Sequence, residues 1–169
     1  MTERLIAIMQ GEHRISKDPA EVLATVLGSC VAACLRDPVA GIGGLNHFLL
    51  PGGNHQDRTA VKYGLHAMEL LINGMIREGA SRTRLEAKLF GGAQMLRGLP
   101  DIGKANARFA EDFLRREGIA YIGGSLGGTK GRKIRFNAVS GNVRQFLLDP
   151  SEAPEIQVAK PVSGDIVLF

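Results

Sequence analysis

Leu27–Gly53 reads LGSCVAACLRDPVAGIGGLNHFLLPGG and contains both cysteines of the chain, Cys30 and Cys34. Its middle part, SCVAACLR (29–36), shows no apolar–polar alternation, is rich in alanine and stops at Asp37-Pro38. That pattern predicts a short helix. The following AGIGGLNHFLL (40–50) reads as a strand weakened by glycines and broken by Pro51-Gly52-Gly53. Upstream, VLATVL (22–27) predicts a strand. Cys30 would then stand where a strand passes through Gly28-Ser29 into the first turn of a helix.

Working outward, RLIAIMQ (4–10) predicts a further strand. Between Asp57 and Glu78, Val61, Leu65, Met68, Ile72, Met75 and Ile76 recur at helical spacing, with Gly79 as the stop. RLEAKLF (84–90) alternates as a strand and ends at Gly91-Gly92. Ile102, Ala105, Phe109 and Phe113 mark a second long helix closed by Gly118. IAYIGG, RKIRFN and VRQFLL follow as strands joined by glycine turns. From Asp149, with Pro150, Pro154 and Pro161, the tail reads as loosely attached, although DIVLF (165–169) could dock as a late strand. Strands with two long amphipathic helices and no repeat predict an α/β layered sandwich. No linker divides it, so residues 1–169 read as a single domain.

Composition narrows the function. The chain is 44% hydrophobic and 22% charged, as expected of a globular protein. Two cysteines in one apolar segment make no disulfide framework. The charged start, MTERLIAIMQGEHR, is unlike a signal peptide, and no apolar run approaches the roughly 18 residues of a membrane span. A cytoplasmic protein is the expectation. The net charge is +4, but the basic residues are scattered apart from Lys130, Arg132, Lys133 and Arg135. Seven Phe, two Tyr and no Trp offer little for stacking on bases. Nucleic acid is therefore not the expected partner, and an acidic protein surface fits the charge equally well.

The chemistry centres on Cys30. Backbone N–H groups at a helix start favour negative charge, which would make the thiolate more available. The same groups, on Ser29 and Cys30, could donate to an oxyanion. The competing reading is a buried, inert thiol, the commoner fate of a free cysteine and the expected one for Cys34. His47 is open in the same way. It is either a core histidine satisfied by backbone, or a base returned beside Cys30 by the strand. Thr25 could hold the second ring nitrogen of such a base and fix its tautomer. Cys30, Cys34, His47 and His55 do not have a usual zinc spacing, so no metal is expected. Gly127-Gly128-Thr129-Lys130 reverses the Lys-Ser/Thr order of a phosphate loop. His13, His55 and His66 suit solvent or helix-face positions.

TVLGSCVAACLRDP followed by GGLNHFLLP resembles the chemoreceptor glutamine deamidase family, CheD. The resemblance continues through EAKLFGGAQM and GGTKGRKIRFNAVSGNV and covers roughly residues 4 to 150. It implies a cytoplasmic enzyme of bacterial chemotaxis, a protein-glutamine glutaminase that hydrolyses selected receptor glutamine side chains to glutamate. The fold it implies is a three-layer α/β sandwich resembling the catalytic core of glutamine-deamidating bacterial toxins. The family nucleophile matches Cys30 and its histidine matches His47. Some members carry the family threonine six residues before the cysteine, where this chain has Ala24, so Thr25 is the candidate. In DIGKANARF, Ala105 stands before Asn106 where members often have Arg, which bears on substrate contacts. No metal or organic cofactor is implied. The implied partners are the cytoplasmic region of methyl-accepting receptors and a CheC-type phosphatase. Two alternatives remain: an adaptor acting mainly by docking to that phosphatase, and a receptor methylesterase using the same nucleophile. A thiol redox protein is disfavoured by the lack of a Cys-x-x-Cys.

Overall fold

The computed structural model describes residues 2–53, 56–150 and 166–169. Among these, one five-stranded sheet has the order β1 (Arg4–Ala7), β3 (Glu21–Leu27), β8 (Arg132–Phe136), β9 (Val143–Leu147), β10 (Ile166–Leu168). A second has the order β2 (His13–Ser16), β5 (Ile42–Phe48), β4 (Val31–Asp37), β6 (Glu86–Gly91), β7 (Ala120–Leu126). Most neighbours are antiparallel; β1–β3 and β6–β7 are parallel.

The predicted helix over 29–36 is instead strand β4, and the physical reason is burial on both faces. β4 lies between β5 and β6, with Ala33 opposite Asn46 on one side and Leu89 on the other. Val31, Ala33 and Leu35 pack toward the helices, while Ala32 and Cys34 pack toward the other sheet. A strand dry on both faces has no reason to alternate, so its sequence is a continuous apolar run. Tertiary pairing here overrides the modest helical preference of alanine. Asp37 closes the strand as an anchor rather than as a helix stop. Its buried carboxylate accepts from the Arg84 guanidinium and from the N–H groups of Val39, Ala40 and Ser81. The Arg84 bonds hold that carboxyl well below the usual carboxylate range.

Helices α1 (Arg58–Arg77) and α2 (Ile102–Glu117) lie where the periodicity puts them. Asp57 caps the first, accepting from Thr59 N at 2.8 Å and Ala60 N at 3.1 Å. Gly118, at φ 65°, ends the second in the left-handed conformation that glycine adopts without strain. Both helices cover one face of the β2-β5-β4-β6-β7 sheet through Met68, Leu71, Ile72, Phe109 and Phe113. The other face packs on Leu23, Leu27, Ile134, Phe136 and Val143 of the first sheet. The layers are thus sheet, sheet and helices, an α/β sandwich of three layers.

Three details differ from the pattern reading or complete it. β1 stops at Ala7 rather than Gln10, because the chain turns over Met9–Glu12, with Glu12 N donating to Met9 O at 3.0 Å. β2 is short and largely exposed, so it carries no hydrophobic signature. Ile166–Leu168 docks antiparallel on β9, as DIVLF suggested, while Pro154, Pro161 and the intervening tail lie outside the described residues. Among the described residues, no helix is long and apolar enough to cross a membrane.

Candidate active site

Strand register brings Thr25 and His47 together. In β5, Leu45 and His47 share one face, and His47 stands opposite Ala32 of β4. Leu45 and Ala32 belong to the layer between the sheets, so His47 points there too. Thr25 enters that layer from β3, between Leu23 and Leu27. Its Oγ1 lies 2.8 Å from His47 Nδ1. The same hydroxyl donates to the Ile8 carbonyl at 2.6 Å. A hydroxyl has only one proton, and this one is committed to Ile8, so Thr25 must accept from Nδ1–H. The lone pair of a neutral His47 is therefore on Nε2. That nitrogen is buried and, among the described residues, has no hydrogen-bond partner. Burial lowers the His47 pKa to about 4, against the Ile8 carbonyl and Glu12, which both favour the charged form. The ring is a free base at neutral pH.

Cys30 immediately precedes β4, two residues before Ala32, and packs at the edge of the same inter-sheet layer. It is half-buried, whereas Cys34 is fully buried and its thiol is pushed well up by desolvation. Of the two cysteines, Cys30 has the reactive setting.

Gly28-Ser29-Cys30 forms a bend between two strands, not a helix start, so a helix dipole contributes nothing there. The bend is clamped by its carbonyls. Gly28 O accepts from Ala93 N at 3.0 Å and Cys30 O from Gly92 N at 2.8 Å. Ser29 O accepts from Asn106 Nδ2 at 2.9 Å. Gly91 must be glycine: it has φ +106°, and a Cβ there would sit 2.1 Å from Cys30 O. In a trans peptide the N–H points opposite to the C=O. Holding the Gly28 and Ser29 carbonyls inward therefore turns the N–H groups of Ser29 and Cys30 away from these clamps.

Two residues at the site escaped the sequence reading as functional groups. Asn106, fully buried on α2, joins the cysteine bend to the segment that follows the histidine strand, because its Oδ1 also accepts from Leu50 N at 2.9 Å. An amide in the apolar stripe between Ile102 and Phe109 is the signal that could have found it. Gln10 lies beside Cys30, whose Sγ donates to its Oε1 at 3.3 Å; no local pattern marks it. His13 and His66 are exposed, as their spacing suggested, and His55 lies outside the described residues. The basic cluster is partly structural: Arg132 is buried and donates to carbonyls of Ser125, Gly127 and Lys130.

A family model described as CheD chemotactic sensory transduction matches residues 49–145. The probable chemoreceptor glutamine deamidase CheD of Acidiphilium cryptum is 54% identical over 98% of this chain and 94% of its own length. That of Agrobacterium fabrum is 51% identical over 97% of this chain and 96% of its own. The family-model match begins just after His47, but these full-length relatives span the whole site. Among solved structures, Neisseria meningitidis protein NMB0706 superposes with a TM-score of 0.52 at 11% identity, covering 75% of this chain and 64% of that one. It shares the fold.

Proposed function

The chain belongs to the CheD family, and we propose that it hydrolyses glutamine side chains of chemoreceptors to glutamate through a Cys30–His47–Thr25 triad. The observation that carries this reading is the directional chain from Ile8 through Thr25 to His47, which leaves a buried Nε2 without a hydrogen-bond partner among the described residues, in the inter-sheet layer against whose edge Cys30 packs. In the first step His47 Nε2 takes the Cys30 proton as Sγ attacks the carboxamide carbon. N–H groups of Ser29 and Cys30 stabilise the oxyanion. The intermediate collapses, His47 returns the proton to the departing nitrogen, and ammonia leaves a thioester. Water, deprotonated by His47, then releases glutamate and the thiol. All steps are proton transfers and acyl transfer, for which these side chains suffice.

The substrate in this proposal is the cytoplasmic region of methyl-accepting receptors, which places the enzyme in the cytoplasm. A CheC-type phosphatase is included as a docking partner. The test is incubation of a receptor cytoplasmic fragment with wild type and Cys30→Ala, followed by peptide mass mapping. Wild type should convert particular glutamines with a gain of about one dalton, and Cys30→Ala should lower the rate by at least about 10³-fold. A loss of about fourteen daltons at methylated glutamates would identify a methylesterase instead. Full activity in folded Cys30→Ala would remove Cys30 from the mechanism.

A further inference from the structure

Gln10 reaches Cys30 from the opposite end of the site's construction. It occupies the second position of the Met9–Glu12 turn, whose third residue, Gly11, has φ +88°, as a type II turn requires. The turn is closed twice, by Glu12 N to Met9 O at 3.0 Å and by Met9 N to Glu12 Oε2 at 3.0 Å. It is also bonded to the histidine strand, through Gly11 N to His47 O at 2.7 Å and His47 N to Glu12 O at 3.1 Å. Residue 10 is therefore mounted on the same strand as the base. From there its carboxamide meets Cys30 Sγ at 3.3 Å.

When Sγ attacks an amide, the developing oxyanion sits on the carbon that has just bonded to sulfur. That oxygen lies roughly 3 Å from the sulfur, so a donor already touching Sγ can reach it. A glutamine carboxamide has both an acceptor and two donors, and a half-turn of its terminal torsion exchanges them at low cost. Against the resting thiol its oxygen accepts; against the oxyanion its NH₂ donates. Resting on the Cys30 nucleophile reading, we propose that Gln10 is a catalytic residue. Its Nε2–H donates to the tetrahedral oxyanion beside the backbone donors of the cysteine bend. The step balances: the S–C bond forms, the carbonyl pair moves to oxygen, and the thiol proton moves to His47. On collapse the C=O re-forms as the C–N bond breaks.

Gln10→Ala and Gln10→Met are measured beside wild type and Cys30→Ala. The readouts are kcat and KM on a receptor fragment, the iodoacetamide alkylation rate of Cys30, and the intact mass of the enzyme. Alkylation by iodoacetamide is a direct displacement that builds no oxyanion. Both Gln10 variants should lose roughly 10²-fold in kcat with KM and alkylation within about twofold of wild type. Wild-type kcat in both variants, with Cys30→Ala inactive, overturns the proposal. So does a rise in kcat/KM, which would make Gln10 an occupant that substrate must displace. An equal fall in alkylation would make it only a support for the thiol. A gain of about one dalton at Gln10 itself would make it a substrate in cis. Activity surviving in Cys30→Ala would instead sink the nucleophile reading.

Discussion

The sheet that carries His47, with Cys30 just ahead of its central strand, has two faces, and they are built for different ends. Toward the helices, Val31, Leu35 and Phe48 meet Met68, Leu71 and Phe109, with Phe48 edge-on to Phe109 at a ring separation of 5.8 Å. Toward the other sheet, Cys34 and Leu45 meet Leu23, Leu27 and Phe136, but the layer is smaller and becomes polar near the cysteine bend. There Thr25 and His47 replace carbon, and the exposed Gln10 meets Cys30 at the rim. A buried imidazole nitrogen without a partner costs on the order of 1–3 kcal/mol. Each large side chain buried on the helix side contributes a comparable amount, about 1.5–3 kcal/mol. The apolar face thus gives the margin within which the polar one can hold an unsatisfied base.

The largest effect on stability should come from the helix face. Leu71→Ala, at a fully buried position, is expected to cost about 2–5 kcal/mol. Turnover per folded molecule should stay within about twofold of wild type. Urea unfolding with active-site titration checks both, and a specific loss of turnover would erase the division between the faces. Acid should act on the other face. His47 titrates near 4 when folded against 6.5 in the reference state, so the unfolded chain takes up its proton first as pH falls. Stability is then flat above about pH 6.5 and falls between 6.5 and 4, by about 2–3 kcal/mol at pH 4.5. The Asp37 contribution is lost at lower pH, because its carboxyl is depressed below the carboxylate range. An unchanged slope in His47→Asn would mean that another group is responsible.

The finest probe is Thr25→Val, which keeps the β-branched shape and deletes the acceptor for Nδ1–H. A roughly tenfold fall in kcat, about 1.4 kcal/mol, is expected, with Cys30 still alkylated and Thr25→Ser restoring much of the rate. Equal turnover in Thr25→Val would reduce the proposed triad to a Cys30–His47 dyad.

The two faces were unequally legible in the sequence. Helices α1 and α2 announce themselves by periodicity because each has one wet side. β4 has none, so its apolar run imitates a helix. Thr25 and His47 could be named as candidates because each stands in a recognisable strand, but only the packing of one sheet on the other gives the 2.8 Å contact. Asn106 stands out locally as an amide in an apolar stripe, but its partner in the cysteine bend lies 77 positions away; Gln10 lies 20 positions from Cys30 with no local mark.

The hydrogen-bond line behind His47 ends on the peptide oxygen of Ile8, a dipole rather than a full negative charge. Among the described residues, no carboxylate is hydrogen-bonded to the ring. An imidazolium formed here gains less electrostatic support than one backed by an aspartate. A histidine so backed is better matched to a thiol, which is acidic enough to need little help, than to an aliphatic alcohol. On the proposed Cys30–His47 pairing, Cys30→Ser would leave a histidine backed by a peptide dipole to deprotonate an alcohol instead of a thiol, and turnover is expected to be lost.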